Sequence, residues 1–396
     1  MSLNSTPAAD RVHIGIFGKR NAGKSSIINA ITDQNLAIVS DIKGTTTDPV
    51  FKTMELLPLG PVMIIDTPGL DDLGELGTLR IQKAYQILNK TDIAVLVVDG
   101  TIGMTQEDHR ILNRIKDKSI PYLIVMNKSD LAQPTRTHCN KDTLWVSAVT
   151  GENIQTLKEK IAEQAPTENH EHRIVGDLLS PSDFVLLVVP IDKAAPKGRL
   201  ILPQQQTIRD ILESDAAALI IKENELENSL NQLPFSPRMI ITDSQVFEFV
   251  SAVTPKEIPL TSFSILFARY KGLLPDAVQG AKTLNRLKNG DTVLISEGCT
   301  HHRQCNDIGS VKLPKMIQKV TGKALHFKFT SGTEFPLNLD DIQLIVHCGG
   351  CMLNDREMHY RLKCAVDAGI PMTNYGILMA HIQGILDRCI AVFEPS

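Results

Sequence analysis

Hydrophobic residues in residues 1–165 fall in short unbroken runs rather than in alternation with polar ones. Runs at 12–17 (VHIGIF), 61–65 (PVMII), 93–98 (IAVLVV) and 122–126 (YLIVM) suit strands covered on both faces of a mostly parallel sheet. Residues 26–31 and the stretches between later runs read as helices. Ligands of such sheets bind beyond the carboxyl ends of the strands, and the runs give way at once to polar residues.

The first run leads into G-x-x-x-x-G-K-S, from Gly18 to Ser25. Strand, glycine loop and helix are the context a phosphate-binding loop requires. Its glycines let backbone N–H groups turn inward around phosphate oxygens, and the next helix aims its positive end at the same point. The expected nucleotide contacts are Gly18, Asn21, Ala22, Gly23, Lys24, Ser25 and Ser26. Lys24 neutralises the β and γ phosphates, and Ser25 ligates Mg²⁺. Asp66-Thr67-Pro68-Gly69 follows the run at 61–65. There Asp66 is expected to hold the Mg²⁺ shell and the Gly69 N–H to sense a γ-phosphate. Asn127-Lys128-Ser129-Asp130 follows the run at 122–126. A carboxylate at Asp130 accepts from N1–H and the amino group of guanine, a donor pair that adenine lacks. Ser147 and Ala148, after Leu144-Trp145-Val146, suit a backbone contact to guanine O6. Together these motifs predict a guanine-nucleotide site.

Length and charge narrow the rest. A chain of 396 residues predicts two or three domains. A formal net charge of −4 does not favour a general grip on nucleic-acid phosphates. Seven cysteines, irregularly spaced and without a signal-peptide pattern, fit a reducing cytoplasm. Their odd number and one C-x-x-C pair point to metal or redox chemistry rather than disulfides. No apolar run approaches the roughly 20 residues that span a bilayer, so no membrane is expected.

The first-domain residues resemble the translation-factor-related GTPases, and within them the tRNA-modification GTPase branch. Gly44-Thr45-Thr46-Thr47-Asp48 looks like that branch's first switch. The resemblance implies that Thr46 closes on Mg²⁺, with Thr47 standing where the branch has arginine. Asn21 matches the asparagine that helps bind K⁺ beside the phosphates, where the ion supplies the charge of an arginine finger. Leu70 stands where Ras-like proteins place a water-orienting glutamine, so hydrolysis is expected to be slow and stimulated by K⁺ or a partner. Lys24, Thr46 and Gly69 are the expected catalytic residues.

A polar stretch at 165–172 reads as a linker, with His170 and His172 as solvated residues. In residues 170–257, runs at 184–189, 216–221 and 239–242 read as strands and residues 204–213 as a helix with Ile208, Ile211 and Leu212 on one face. This is a small α/β layer without a nucleotide loop, and self-association is its expected role.

In residues 258–396, strand-like runs at 292–295 and 341–346 each precede a cysteine motif: Cys299-Thr300-His301-His302 and His347-Cys348-Gly349-Gly350-Cys351. Parallel strands in one sheet would bring these ends together. Three thiolates suit an iron–sulfur cluster or zinc, zinc normally with a fourth ligand. A redox pair at Cys348 and Cys351 is the third reading, and the residues alone leave all three open. Cys305 is a spare thiol near the first motif; Cys364, Cys389, His326, His359 and His381 read as packing or solvated residues. Nothing is assigned to Cys139.

C-x-H followed by H-C-x-x-C, behind these GTPase motifs, resembles the maturation GTPases of [FeFe]-hydrogenase, the HydF type. Residues 198–203 (GRLILP) and 261–270 (TSFSILFARY) also look like that family. The resemblance implies an α/β protein of three domains: a P-loop GTPase domain at 1–165, a dimerisation domain at 170–257 and a cluster-binding domain at 258–396. It implies a [4Fe–4S] cluster on Cys299, Cys348 and Cys351, with an exchangeable fourth position and His301 and His347 as ligands or close neighbours. It further implies a homodimeric scaffold for a diiron subcluster, working with two radical-SAM maturases and delivering to apo-hydrogenase. The alternative is a GTPase of tRNA modification or ribosome assembly with a structural zinc site.

Overall fold

The computed structural model describes residues 11–32, 50–67, 87–132, 142–165, 173–191, 200–298, 308–332, 335–336, 338–351 and 353–393. The chain divides into two compact units, Met1–Glu168 and Asn169–Ser396.

The first unit is a six-stranded sheet in the order β2-β3-β1-β4-β5-β6. Its strands are β1 (Val12–Phe17), β2 (Val50–Leu56), β3 (Gly60–Asp66), β4 (Ile93–Asp99), β5 (Tyr122–Asn127) and β6 (Thr143–Trp145). All pairings are parallel except β2 with β3. The unbroken apolar runs are the central strands. Ile14, Ile16, Val95 and Val97 feed a core under α1 (Lys24–Thr32) and α3 (Ile154–Glu163), while Phe17, Leu96 and Val98 feed another under α2 (Gln106–Asp117). Burial of both faces is why these strands carry no polar alternation. After β1 the chain goes to β3 on one side and to β4 on the other. That switch point opens a crevice at the end of β1, where the glycine loop lies.

The second unit holds two four-stranded sheets, each wholly parallel. The first, in the order β10-β9-β7-β8, comprises β7 (Phe184–Val188), β8 (Ala217–Ile221), β9 (Met239–Thr242) and β10 (Leu260–Ser262). Its helices are α4 (Leu202–Leu212), α5 (Leu226–Gln232), α6 (Phe247–Val253) and α7 (Phe263–Tyr270). Strand β10 lies beyond residue 257, so the boundary expected at 257/258 cuts this sheet and is corrected. A second correction concerns α4. Its buried face is Gln204, Thr207, Asp210 and Ile211, and Leu212 is 60% exposed. Polar anchoring turns the helix: Asp210 Oδ2 accepts the Val175 and Gly176 N–H groups at 2.8 and 2.7 Å.

The second sheet, in the order β12-β11-β13-β14, comprises β11 (Thr292–Glu297), β12 (His326–Ser331), β13 (Leu344–His347) and β14 (Met372–Asn374). It packs with α8 (Leu274–Lys282), α9 (Leu313–Thr321), α10 (Asp355–Asp367), α11 (Tyr375–Ile382) and α12 (Leu386–Ile390). The strand expected from 341 begins only at Leu344; Asp341 is exposed and pairs with Lys328. From β11 the chain goes to β12 on one side and β13 on the other, which makes a second switch point.

Candidate nucleotide site and cysteine loop

In the glycine loop Gly18 takes φ +145° and Gly23 φ +92°. A Cβ at Gly18 would lie 2.2 Å from Val97 O, and one at Gly23 would lie 2.2 Å from Asn127 Nδ2. Both glycines are therefore required by the loop's path. Asn21 takes the left-handed conformation at φ +60°, which asparagine tolerates better than most residues. Lys24, on the first turn of α1, is buried, and its Nζ donates to Gly18 O at 3.0 Å and Lys19 O at 2.9 Å. These carbonyls hold the ammonium inside the loop.

Strand β3 ends at Asp66, whose Oδ2 accepts from Ser25 Oγ at 3.4 Å. The two expected Mg²⁺ ligands thus face each other from β3 and α1. Burial raises the Asp66 pKa above its ordinary value, against the lowering pull of Lys24, Ser25 and Lys52. A carboxylate in that position gains from a cation.

The guanine motif is assembled from two strand ends. Asn127 Nδ2 donates to Ala22 O at 3.0 Å, and Asn127 Oδ1 accepts the Ala148 N–H at 3.2 Å. One amide side chain therefore ties the phosphate loop to the loop after β6. Lys128 sits at φ +69°. Ser147 Oγ donates to Asp130 Oδ1 at 2.6 Å, fixing the carboxylate that is expected to read guanine. Sequence reading missed Asp99 at the end of β4. Its carboxylate meets Lys128 Nζ at 2.5 Å and accepts from the Thr101 backbone N–H and hydroxyl at 2.9 and 2.6 Å. Burial opposes its charge, but these hydrogen bonds outweigh it and hold the pKa below the usual value. The signal available was its place directly after a buried run. Ser26 is half-buried on α1. Thr46 and Gly69 lie outside the described residues.

At the second switch point β11 and β13 run side by side with Ser296 opposite His347. The Cys348 N–H donates to Ser296 O at 2.9 Å. Cys348 Sγ accepts the Gly298 N–H at 3.0 Å and the Gly350 N–H at 3.4 Å. The residue before Cys299 is thus in contact with Cys348. Two N–H donors on one sulfur suit a thiolate more than a thiol. Gly350 turns at φ +63°, and a Cβ there would meet Met358 Sδ at 2.5 Å. Cys351 is half-buried, and its thiol is pushed up to about 11, first by burial and then by Cys348, against the opposing pull of Lys271. A coordinating metal deprotonates such a thiol outright. Cys299, His301 and Cys305 lie outside the described residues, and among those described no group of three His, Cys, Asp or Glu residues converges as a metal site.

His347 is held from two sides. It is fully buried, Arg361 Nη1 donates to its Nε2 at 3.0 Å, and its Nδ1 lies 2.7 Å from Cys348 O. Arginine only donates, so the proton sits on Nδ1 and is given to the carbonyl. With both nitrogens engaged, His347 orients the Cys348 peptide at the start of the cysteine loop. Arg361 is itself fully buried and bonded to Glu357 Oε1 through Nε at 2.9 Å and Nη2 at 2.8 Å.

Comparison with known proteins then decides the family. Residues 275–392 match the hydrogen maturase F tetramerization domain and residues 174–272 match the hydrogen maturase F dimerization domain. The chain belongs to the hydrogen maturase F family. Residues 13–128 match the 50S ribosome-binding GTPase model, which makes the first unit of this maturase-family chain a GTPase domain. Curated relatives share that part. A tRNA modification GTPase MnmE of Nitrosomonas europaea is 35% identical over 158 residues, 39% of this chain and 35% of the relative. A GTPase Der of Kosmotoga olearia is 35% identical over 216 residues, 50% of this chain and 48% of the relative. The chain thus spans about a third to a half of such relatives. Among solved structures, Era in complex with MgGDPNP and a segment of 16S ribosomal RNA shows 21% identity and a TM-score of 0.36. That match covers 53% of this chain and 91% of that one, a likeness too distant to add to the topology.

Proposed function

We propose that the chain is a cytoplasmic, GTP-hydrolysing scaffold of [FeFe]-hydrogenase maturation. Its first unit hydrolyses GTP with Mg²⁺ on Ser25, Thr46 and Asp66 and with K⁺ beside Asn21. Its second unit carries a [4Fe–4S] cluster on Cys299, Cys348 and Cys351. The observation that carries the cluster reading is the Gly298 N–H on Cys348 Sγ at 3.0 Å, at the switch point where a parallel sheet binds its ligands. The bound cluster supplies an iron–sulfur surface to which a metal fragment attaches. The chain's own part is to present three thiolates, with N–H donors on Cys348 and the Cys348 carbonyl held by His347. The diiron precursor is cargo, received with the help of two radical-SAM maturases and handed to apo-hydrogenase. Nucleotide state acts on the switch segments around Thr46 and Gly69 and so on partner contact.

Two measurements test this. GTP turnover in KCl is expected to be slow but clearly faster than in NaCl; fast turnover indifferent to the cation contradicts the K⁺ assignment. Chain purified anaerobically from cells that also make both maturases is expected to activate apo-hydrogenase. Chain from cells lacking them is not, and equal activation by the two preparations contradicts the carrier role.

A further inference from the structure

Lys271 follows the last residue of α7, in the sheet layer preceding the cysteine-bearing sheet, and its side chain is only 6% exposed. Its Nζ donates to Gly350 O at 3.1 Å and Leu353 O at 2.9 Å, carbonyls on either side of Cys351. The carboxylate of Asp355 lies 3.6 Å away but is 59% exposed. The lysine also lines a small cavity together with His347, Cys348, Gly349 and Met358. Burying an ammonium is costly unless charge and hydrogen bonds compensate it. Here two neutral carbonyls and one solvated carboxylate offset only part of that cost. A methionine at this position would fill the same volume with no charge to compensate. The placement would gain its meaning from an anion bound by the cysteines of this loop. A cluster held by three thiolates is such an anion, and it becomes more negative by one electron on reduction.

We propose that Lys271 is a positioning residue for the cluster: it clamps the Cys348–Cys351 loop through two carbonyls and offsets the cluster's negative charge, holding its reduction potential up. The proposal rests on the cluster reading above. Net charge and hydrogen bonding around the sulfurs set such potentials. A fixed cation behind the loop stabilises the reduced, more negative state more than the oxidised one. Because Lys271 precedes the 275–392 segment, the potential depends on how the dimerization segment packs on the cluster loop. Contacts that move α7 thereby reach the cluster electrically.

The test uses the full-length chain, reconstituted anaerobically with iron and sulfide, as wild type, Lys271→Met, Lys271→Gln and Lys271→Arg. Iron and sulfide content, the paramagnetic signal after dithionite and the midpoint potential are read for each. Lys271→Met and Lys271→Gln are expected to take up cluster yet show a more negative midpoint potential than wild type. Lys271→Arg, which keeps the charge, is expected to stay near wild type. Glutamine preserves donors to the carbonyls, so it keeps the test decisive if the methionine variant does not fold. Wild-type potentials in both uncharged variants overturn the proposal while leaving the cluster reading standing. Failure of wild type itself to take up a cluster overturns both.

Discussion

Asp130 is held by Ser147 Oγ at 2.6 Å, and in the proposed function its carboxylate accepts two hydrogen bonds from guanine. Each charge-assisted bond is worth roughly 1.5–3 kcal/mol. Asp130→Asn is therefore expected to weaken GTP binding by at least about 10²-fold and to favour xanthosine triphosphate, as competition binding measures. Asp99 carries a pH prediction. Its folded pKa lies below the unfolded value near 3.8. Its contribution to stability is thus present above that value and fades as pH falls through the lowered folded pKa. Asp99→Asn is expected to lower the melting temperature at pH 6–7, with the difference from wild type closing below about pH 4. In the buried pair, Glu357→Ala strands the fully buried Arg361 and is expected to cost about 3–5 kcal/mol, measured by urea unfolding. A joint Glu357→Leu/Arg361→Met replacement is expected to cost much less. The glycine loop and the guanine motif were legible because their residues are contiguous. Asp99, Lys271 and Arg361 were not, because each has a defining partner, Lys128, Gly350 and His347 respectively, that lies 29, 79 or 14 positions away and is met only on folding.

At the scale of elements, runs buried on both faces were readable as strands, and the central strands of all three sheets begin and end close to those runs. Strand β2 escaped because it is an exposed antiparallel edge, with Val50 and Phe51 40% and 44% exposed, and an edge need not be continuously apolar. The α4 face was misread for the opposite reason. Buried polar residues, Asp210 foremost, fix its rotation, while apolar Leu212 faces solvent. Among the described residues β8 is an edge strand of its sheet, paired with β7, and Ile220 on it is 42% exposed. It lies in the segment matched by the dimerization domain. An edge strand with an exposed isoleucine is a template for pairing with a second copy. Ile220→Lys is expected to shift the chain toward a smaller species in light scattering while leaving its circular dichroism unchanged. An unchanged mass would mean that β8 is not the contact.

For the molecule as a whole, one rule serves twice. The phosphate loop follows β1, whose neighbours are reached in opposite directions, and the cysteine loop follows β13 beside β11, the strand from which the second sheet does the same. The sequence made this visible, since each motif directly follows an apolar run. The division of the chain was harder to read. The layers of residues 169–396 pack as one compact unit, and Lys271 ties the last helix of one layer to the cysteine loop of the next, so composition shows no break between them. The central claim is that three cysteines from two strand ends hold one iron–sulfur cluster. Its most direct test is anaerobic reconstitution of the wild type beside Cys299→Ser, Cys348→Ser and Cys351→Ser, read by paramagnetic resonance after reduction. The account predicts a four-iron signal in the wild type that is lost or strongly diminished in every variant. A full wild-type signal from Cys299→Ser, or a wild type that binds zinc and stays colourless, would contradict it.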